Sequence, residues 1–167
     1  NSLPFKRLKI KCRNRLLPLK GDFDPVNARG KHLNYQDWNK LIADPNTIIL
    51  DVRNNYETEI GTFKNSIIPR MNNLTEFPHF IDKELSERKK RKIAMFCTGG
   101  IRCEIASSFM MNKGFEDVYQ LDGGILRYLK DVQGENLWEG ECFVFDERVT
   151  VDKNLKPGSF LQCFGCR

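Results

Sequence analysis

Three short runs limit what this chain can become: residues 47–50 (TIIL), 93–96 (IAMF) and 118–121 (VYQL). Each is too short for a stable helix. The first two lack the polar alternation of a strand with one wet face, so they read as strands buried on both sides. Segments of helical spacing stand between them. Asn34 is an N-cap ahead of YQDWNKLIADP, with Trp38, Leu41 and Ile42 on one face and Pro45 helping to end the helix. A short helix is expected over 75–83. Another is expected over 103–113, with Ile105, Ala106, Phe109 and Met110 on one face. Gly114 fits the position just past its end, where Phe115 packs back onto Met110. Asp122-Gly123-Gly124 then turns into a helix over 125–130. This alternation predicts an α/β fold: a parallel sheet with helices on both faces, its ligand site beyond the carboxyl ends of the strands.

The flanks carry weaker signals. FKRLKIK (5–11) reads as a short strand, the end of a truncated N-terminal domain over 1–14. Pro18, Gly21, Pro25 and Gly30 mark a linker over 15–32, before a main domain over 33–136. Residues 51–69 read as a polar loop region. In the tail, 137–167, WEGECFVFDERVTVD reads as a β-hairpin with Phe143 and Phe145 on one face, followed by Cys163-x-x-Cys166. The chain begins with Asn and ends inside that cysteine motif, which suits a fragment of a longer protein.

Charge and cysteine usage narrow the chemistry. The net charge is +5, and residues 1–20 hold seven basic residues and no acid. A second basic run is Arg88-Lys89-Lys90-Arg91-Lys92. Clustered charge attracts polyanions, so Arg88, Lys89, Lys90 and Arg91 are candidate RNA contacts, although a solvated helix end has the same composition. No apolar run is long enough to span a bilayer, and no signal peptide is visible. The six cysteines (Cys12, Cys97, Cys103, Cys142, Cys163 and Cys166) read as free thiols in a reducing, cytoplasmic compartment. His32 and His79 are the only histidines, which argues against a His base or a His-rich metal site. Cys163 and Cys166 have half a zinc-site spacing, and no metal is expected within this chain.

The stretch AMFCTGGIRCEIASSFM concentrates the chemistry. A strand delivers Cys97 to the sheet edge. Gly99 and Gly100 let the backbone curl, because glycine accepts positive φ. A helix starting near Cys103 points its unpaired amides back at the loop of Thr98, Gly99, Gly100, Ile101 and Arg102. Those amides and the helix dipole favour a thiolate, which makes Cys97 a nucleophile; Arg102 adds positive charge. Four residues separate Cys97 from Arg102. A phosphate-wrapping cysteine loop has one more, so this loop suits a smaller group such as a persulfide sulfur. Asp51 and Arg53 read as an ion pair that braces the loop, with a catalytic role as the alternative. Cys103 is either a resolving thiol or a small apolar residue at the helix start.

These residues resemble the rhodanese (sulfurtransferase) superfamily over roughly 33–131. Asp51-Val52-Arg53 with Glu57 looks like its first signature, Cys97 to Arg102 its six-residue active loop, and Leu121-Asp122-Gly123-Gly124 its Leu-x-Gly-Gly turn. Gly61-Thr62-Phe63 stands where many members have Gly-His-Ile, and Tyr128 where Trp is common. FCTGGIRCE, EIGTFK and LWEGECFVFDERV together look like the rhodanese-containing tRNA uridine hydroxylase family. That resemblance implies a tRNA partner, molecular oxygen as co-substrate and 5-hydroxylation of the wobble uridine, with Cys97 as the required cysteine. No cofactor motif is identifiable. The alternatives are a thiosulfate-type sulfurtransferase carrying a persulfide on Cys97, and a non-catalytic rhodanese module used for binding.

Overall fold

The computed structural model describes Ile10, Cys12, Leu19, residues 24–163 and Gly165. The strand expected over 5–11 lies almost wholly outside these residues, and Cys166 does too. In chain order the elements begin with β1 (Lys31–Leu33), α1 (Tyr35–Ala43), β2 (Ile48–Asp51), α2 (Asn55–Thr58) and β3 (Gly61–Phe63). An irregular helical segment follows: a 3-10 turn (Leu74–Glu76), α3 (Phe77–Phe80), a π turn (Ile81–Leu85) and a second 3-10 turn (Ser86–Arg88). Then come β4 (Ile93–Phe96), α4 (Ile101–Asn112), β5 (Val118–Leu121), α5 (Gly124–Asp131), β6 (Trp138–Gly140), β7 (Cys142–Phe143) and β8 (Thr150–Val151).

The three apolar runs form the predicted strands. β1, β5, β4 and β2 make one parallel sheet in that order, with Ile48 opposite Ile93, Ala94 opposite Tyr119 and Leu33 opposite Leu121. Ile67 extends the β2 edge by hydrogen bonds to Ile49 and Asp51. Both faces are covered, as the continuous apolar runs require. Side chains alternate across the sheet. Ile48, Leu50, Ile93 and Met95 turn to one face, under Phe77 and Ile81 and under Ile105, Phe109 and Met110 of α4. Ile49, Ala94 and Phe96 turn to the other, under Trp38 of α1 and Ile125, Tyr128 and Leu129 of α5.

Local capping follows the sequence. Asn34 Oδ1 accepts the amides of Gln36 and Asp37, as an N-cap should. Gly114 sits at φ +87°; its amide donates to Met111 and that of Phe115 to Met110, the paired bonds of a Schellman ending.

Four expectations need correction. Lys31 and His32, read as linker, join Leu33 in edge strand β1 against β5. The polar region 51–69 contains α2 and β3. β3 pairs antiparallel with β6, so the tail is not one hairpin: β6 crosses to the main domain, and only β7 and β8 pair with each other. Finally, α4 starts at Ile101 and not near Cys103, because Gly100 at φ +88° turns the chain into the helix two residues earlier.

Candidate active site

Cys97 stands one residue past β4, on the parity of Ile93 and Met95. Its side chain therefore turns to the face of α4, whose first turn lies over it. The first amides of a helix have no partner within it. Here those of Arg102 and Cys103, together with the thiol of Cys103, favour the thiolate form of Cys97. The Cys103 hydrogen bond is the strongest influence. With the Arg102 charge and the two amides it overcomes burial and lowers the Cys97 pKa to about 6. Burial, and then the adjacent Cys97, hold Cys103 well above an ordinary thiol, so it stays protonated and donating. Cys97 itself is buried at the floor of a cavity of about 480 Å3 that opens to solvent.

The Asp122-Gly123-Gly124 turn holds the loop from its other side. Ile125 and Leu126 donate their amides to the carbonyls of Cys97 (3.0 Å) and Thr98 (3.1 Å). Gly124, at φ +66°, packs so closely that a Cβ there would overlap backbone atoms of Cys97, Thr98 and Gly100. Two helix N-termini thus clamp one short loop.

Glu57 is the hub that links the loop to the rest of the site. Its fully buried carboxylate accepts both ends of the Arg102 guanidinium (2.5 and 2.7 Å), the Thr98 hydroxyl (3.0 Å) and the Asn54 amide (3.1 Å). A bidentate pair of this kind satisfies a buried carboxylate. Burial works against the charge on Arg102, yet Glu57 raises its pKa above the ordinary value. Arg102 therefore braces the loop, with Glu57 matching its charge. Glu57 appeared in the sequence only as part of a signature. The spacing Asn54-x-x-Glu57 is that of a helix capping box, a signal that would have placed its carboxylate beside α2 but not against the loop.

Asp51 and Arg53 lie on the opposite parity. Asp51 pairs in register with Phe96, one residue before Cys97, so its side chain faces away from the thiol. Arg53 Nε and Nη2 donate to Asp51 (2.9 and 2.6 Å), and Thr62 adds a hydroxyl bond to the same carboxylate. The guanidinium also donates to the carbonyls of Gly61 (2.5 Å) and Glu57 (3.3 Å), and it lies 5.1 Å from the Trp138 ring centroid. This buried pair ties β2 to β3, to α2 and to the tail. Glu57 links it to the cysteine loop, accepting from Arg53 at its carbonyl and from Thr98 at its carboxylate.

Cys97, Thr98, Gly99, Ile101 and Arg102 line the cavity, with Gly100 capping α4 behind them. The basic run is elsewhere. Arg88 ends a 3-10 turn, Arg91 bonds the Asn46 carbonyl (2.7 Å) and Lys92 pairs with Asp44 (3.4 Å). Together with Lys89 and Lys90 they lie before the amino end of β4, at the opposite end of the sheet from Cys97. Sequence reasoning did not find the cavity rim, where Tyr56 and Phe145 are 44% and 61% exposed. Neither carries a local pattern that marks a binding site.

A family described as the rhodanese-like domain matches residues 34–131. Among solved structures, a rhodanese-related protein from Thermoplasma volcanium is 23% identical, covering 64% of this chain and 98% of its own, with a TM-score of 0.50. A protein from Anabaena sp. is 22% identical, covering 65% of this chain and 91% of its own (TM-score 0.53). A Rhodopseudomonas palustris protein described as a possible tyrosine phosphatase is 20% identical, covering 60% of this chain and 80% of its own (TM-score 0.52). At these identities the solved structures speak for the shared fold. No helix among the described residues is long and apolar enough to cross a membrane.

Proposed function

The chain belongs to the rhodanese-like domain family, and from that premise we propose that it is an enzyme that carries sulfane sulfur on Cys97. The observation that carries this reading is the place of Cys97, under the first turn of α4 and lining an open cavity, where the Arg102 and Cys103 amides and the Cys103 thiol favour its thiolate. They keep most of Cys97 as thiolate at neutral pH, the form that attacks a sulfur donor. In the forward step the thiolate takes the outer sulfur of the donor. The bond from that sulfur to the rest of the donor breaks, and its electron pair leaves with the sulfite or sulfinate. The resulting persulfide is discharged when a nucleophile such as cyanide takes the outer sulfur and returns Cys97 as thiolate. The same amides and thiol can solvate either anion. The Arg102–Glu57 pair weighs against phosphate chemistry, since a phosphatase loop needs its arginine over the anion. An acidic thiol below an open cavity also weighs against a purely binding module.

The test is intact-protein mass spectrometry after incubation with a sulfane-sulfur donor. The expected result is a gain of one sulfur atom, mapped to Cys97, removed by cyanide as thiocyanate and absent in Cys97→Ser. A wild-type protein that takes up no sulfur would overturn the proposal.

A narrower reading is oxygen-dependent 5-hydroxylation of the tRNA wobble uridine. The aromatic rim of the cavity favours it, because Tyr56 and Phe145 offer the stacking surface that an unstacked base uses. Free thiols at Cys97, Cys103 and Cys142 suit a reducing compartment such as the cytoplasm. Nucleoside mass spectrometry decides: cells lacking the gene should lose wobble 5-hydroxyuridine and regain it with the wild type but not with Cys97→Ser. An unchanged level in the deletion strain ends this reading.

A further inference from the structure

The chemistry at the floor of the cavity and the character of its rim point to different parts of one substrate. Arg102 is the only cation among the described lining residues, and Glu57 engages both ends of its guanidinium. Of the nearby helix amides, those of Ile125 and Leu126 are held by loop carbonyls, and those of Arg102 and Cys103 act on the thiolate. A small inorganic dianion would meet a negative sulfur beside a single guanidinium that is already paired with a carboxylate.

The rim, by contrast, is apolar and exposed. Ile101 (56%), Tyr56 (44%) and Phe145 (61%) converge there, three of the eight large hydrophobic side chains exposed among the described residues. The two rings are braced and not splayed: Phe143 packs edge-on against both Tyr56 (5.1 Å) and Phe145 (5.2 Å). Phe145 comes from the segment between β7 and β8, so the tail builds one wall of the opening. An exposed, pre-ordered aromatic wall is what a ring-bearing ligand uses, and the cavity volume falls in the small-molecule range.

Resting on the persulfide reading above, we propose that the sulfur donor of Cys97 is an organic, ring-bearing molecule and not an inorganic anion such as thiosulfate. Its ring lies against Phe145 and Tyr56, and its transferable sulfur reaches down to Cys97. Phe145 and Tyr56 are the specificity-determining residues.

Two donors that differ only in the ring test this: methanethiosulfonate and benzenethiosulfonate, each of charge −1. In both, the Cys97 thiolate attacks the terminal sulfur, the bond to the sulfonyl sulfur breaks, and the sulfinate leaves with the electron pair. No oxidant or reductant is needed. The expected kcat/KM for the benzene donor exceeds that for the methane donor by about tenfold or more, the scale of one aromatic contact plus buried ring area. In Phe145→Ala and Tyr56→Ala this ratio falls toward one. An equal preference in the wild type, or a ratio unmoved by both substitutions, overturns the proposal. A separate readout distinguishes it from the reading it rests on: benzenesulfinate, but not methanesulfinate, should shield Cys97 from iodoacetamide, and less so in Phe145→Ala. Shielding without sulfur uptake would remove the persulfide and leave the ring site standing. Sulfur uptake from both donors without ring-dependent shielding would do the reverse.

Discussion

Removing the Cys103 thiol should raise the Cys97 pKa. Cys103→Ala deletes the strongest influence on the Cys97 thiolate while leaving the Arg102 amide, the backbone amide of residue 103 and the Arg102 charge in place. A hydrogen bond to a charged group contributes about 1.5–3 kcal/mol, equivalent to about 1–2 pKa units. From a starting value of about 6, the variant's thiol should titrate at roughly 7–8. At neutral pH the thiolate fraction then falls from about nine-tenths to between about one-half and one-tenth. The assay is the iodoacetamide alkylation rate of Cys97 across pH, read as the midpoint and not the rate at one pH. A thiol of higher pKa is intrinsically more nucleophilic, which offsets part of the loss at any single pH. Cys103→Ser keeps a donor of shorter reach and should fall between the wild type and Cys103→Ala. Circular dichroism checks that the buried truncation has not unfolded the protein. A midpoint in Cys103→Ala within about 0.3 units of the wild type would show that the amides and Arg102 suffice, and the assigned role of Cys103 would be wrong.

Other perturbations test the frame around the thiol. Gly124→Ala should destabilise by about 2 kcal/mol or more, measured by urea unfolding, because its Cβ meets backbone that cannot give way. Gly99→Ala, with nothing within 4 Å of the added carbon and no positive φ, should cost only about 0.5 kcal/mol in the same assay. Glu57→Gln breaks a buried pair from one side and should cost about 3 kcal/mol. It should also lower the Cys97 alkylation midpoint, since the Arg102 charge is no longer neutralised by Glu57. The thiol gives stability a pH dependence of known sign: its folded pKa is lowered to about 6, below the ordinary thiol value of 9.0. Between those values the unfolded chain binds the extra proton, so the contribution is full above the unfolded value and lost as pH falls through the folded one. The stability of the wild type relative to Cys97→Ser should therefore climb by about 1.4 kcal/mol per pH unit from pH 6 towards pH 9. A flat difference across that range would mean that Cys97 does not titrate below an ordinary thiol.

Much of the molecule was readable because its signals are local. Asn34 caps the helix whose first amides follow it directly, and Gly114 and Phe115 close the helix that ends beside them. The apolar runs at 47–50, 93–96 and 118–121 need no partner to declare themselves as strands. Cys97, the two glycines and the following helix are contiguous, so a thiolate under helix amides could be inferred from order along the chain. Even there the start of α4 was two residues off, because two adjacent glycines leave open which one takes positive φ; Gly100 does, at +88°.

What tertiary structure decided involves residues far apart in sequence. The pairing of β3 with β6 brings Trp138 over Arg53, though neither strand shows a pattern that selects the other. Register and parity set Asp51 and Cys97 on opposite faces of neighbouring strand ends, which makes one a brace and the other a candidate nucleophile. Glu57 captures Arg102 only once α2 is folded against the loop, and Phe145 reaches the cavity only once the tail returns to the domain. Caps, turns and periodicity are enforced by covalent neighbours and so can be read along the chain. Buried charges and aromatic walls are satisfied by whatever the fold brings to them, and that is settled in space.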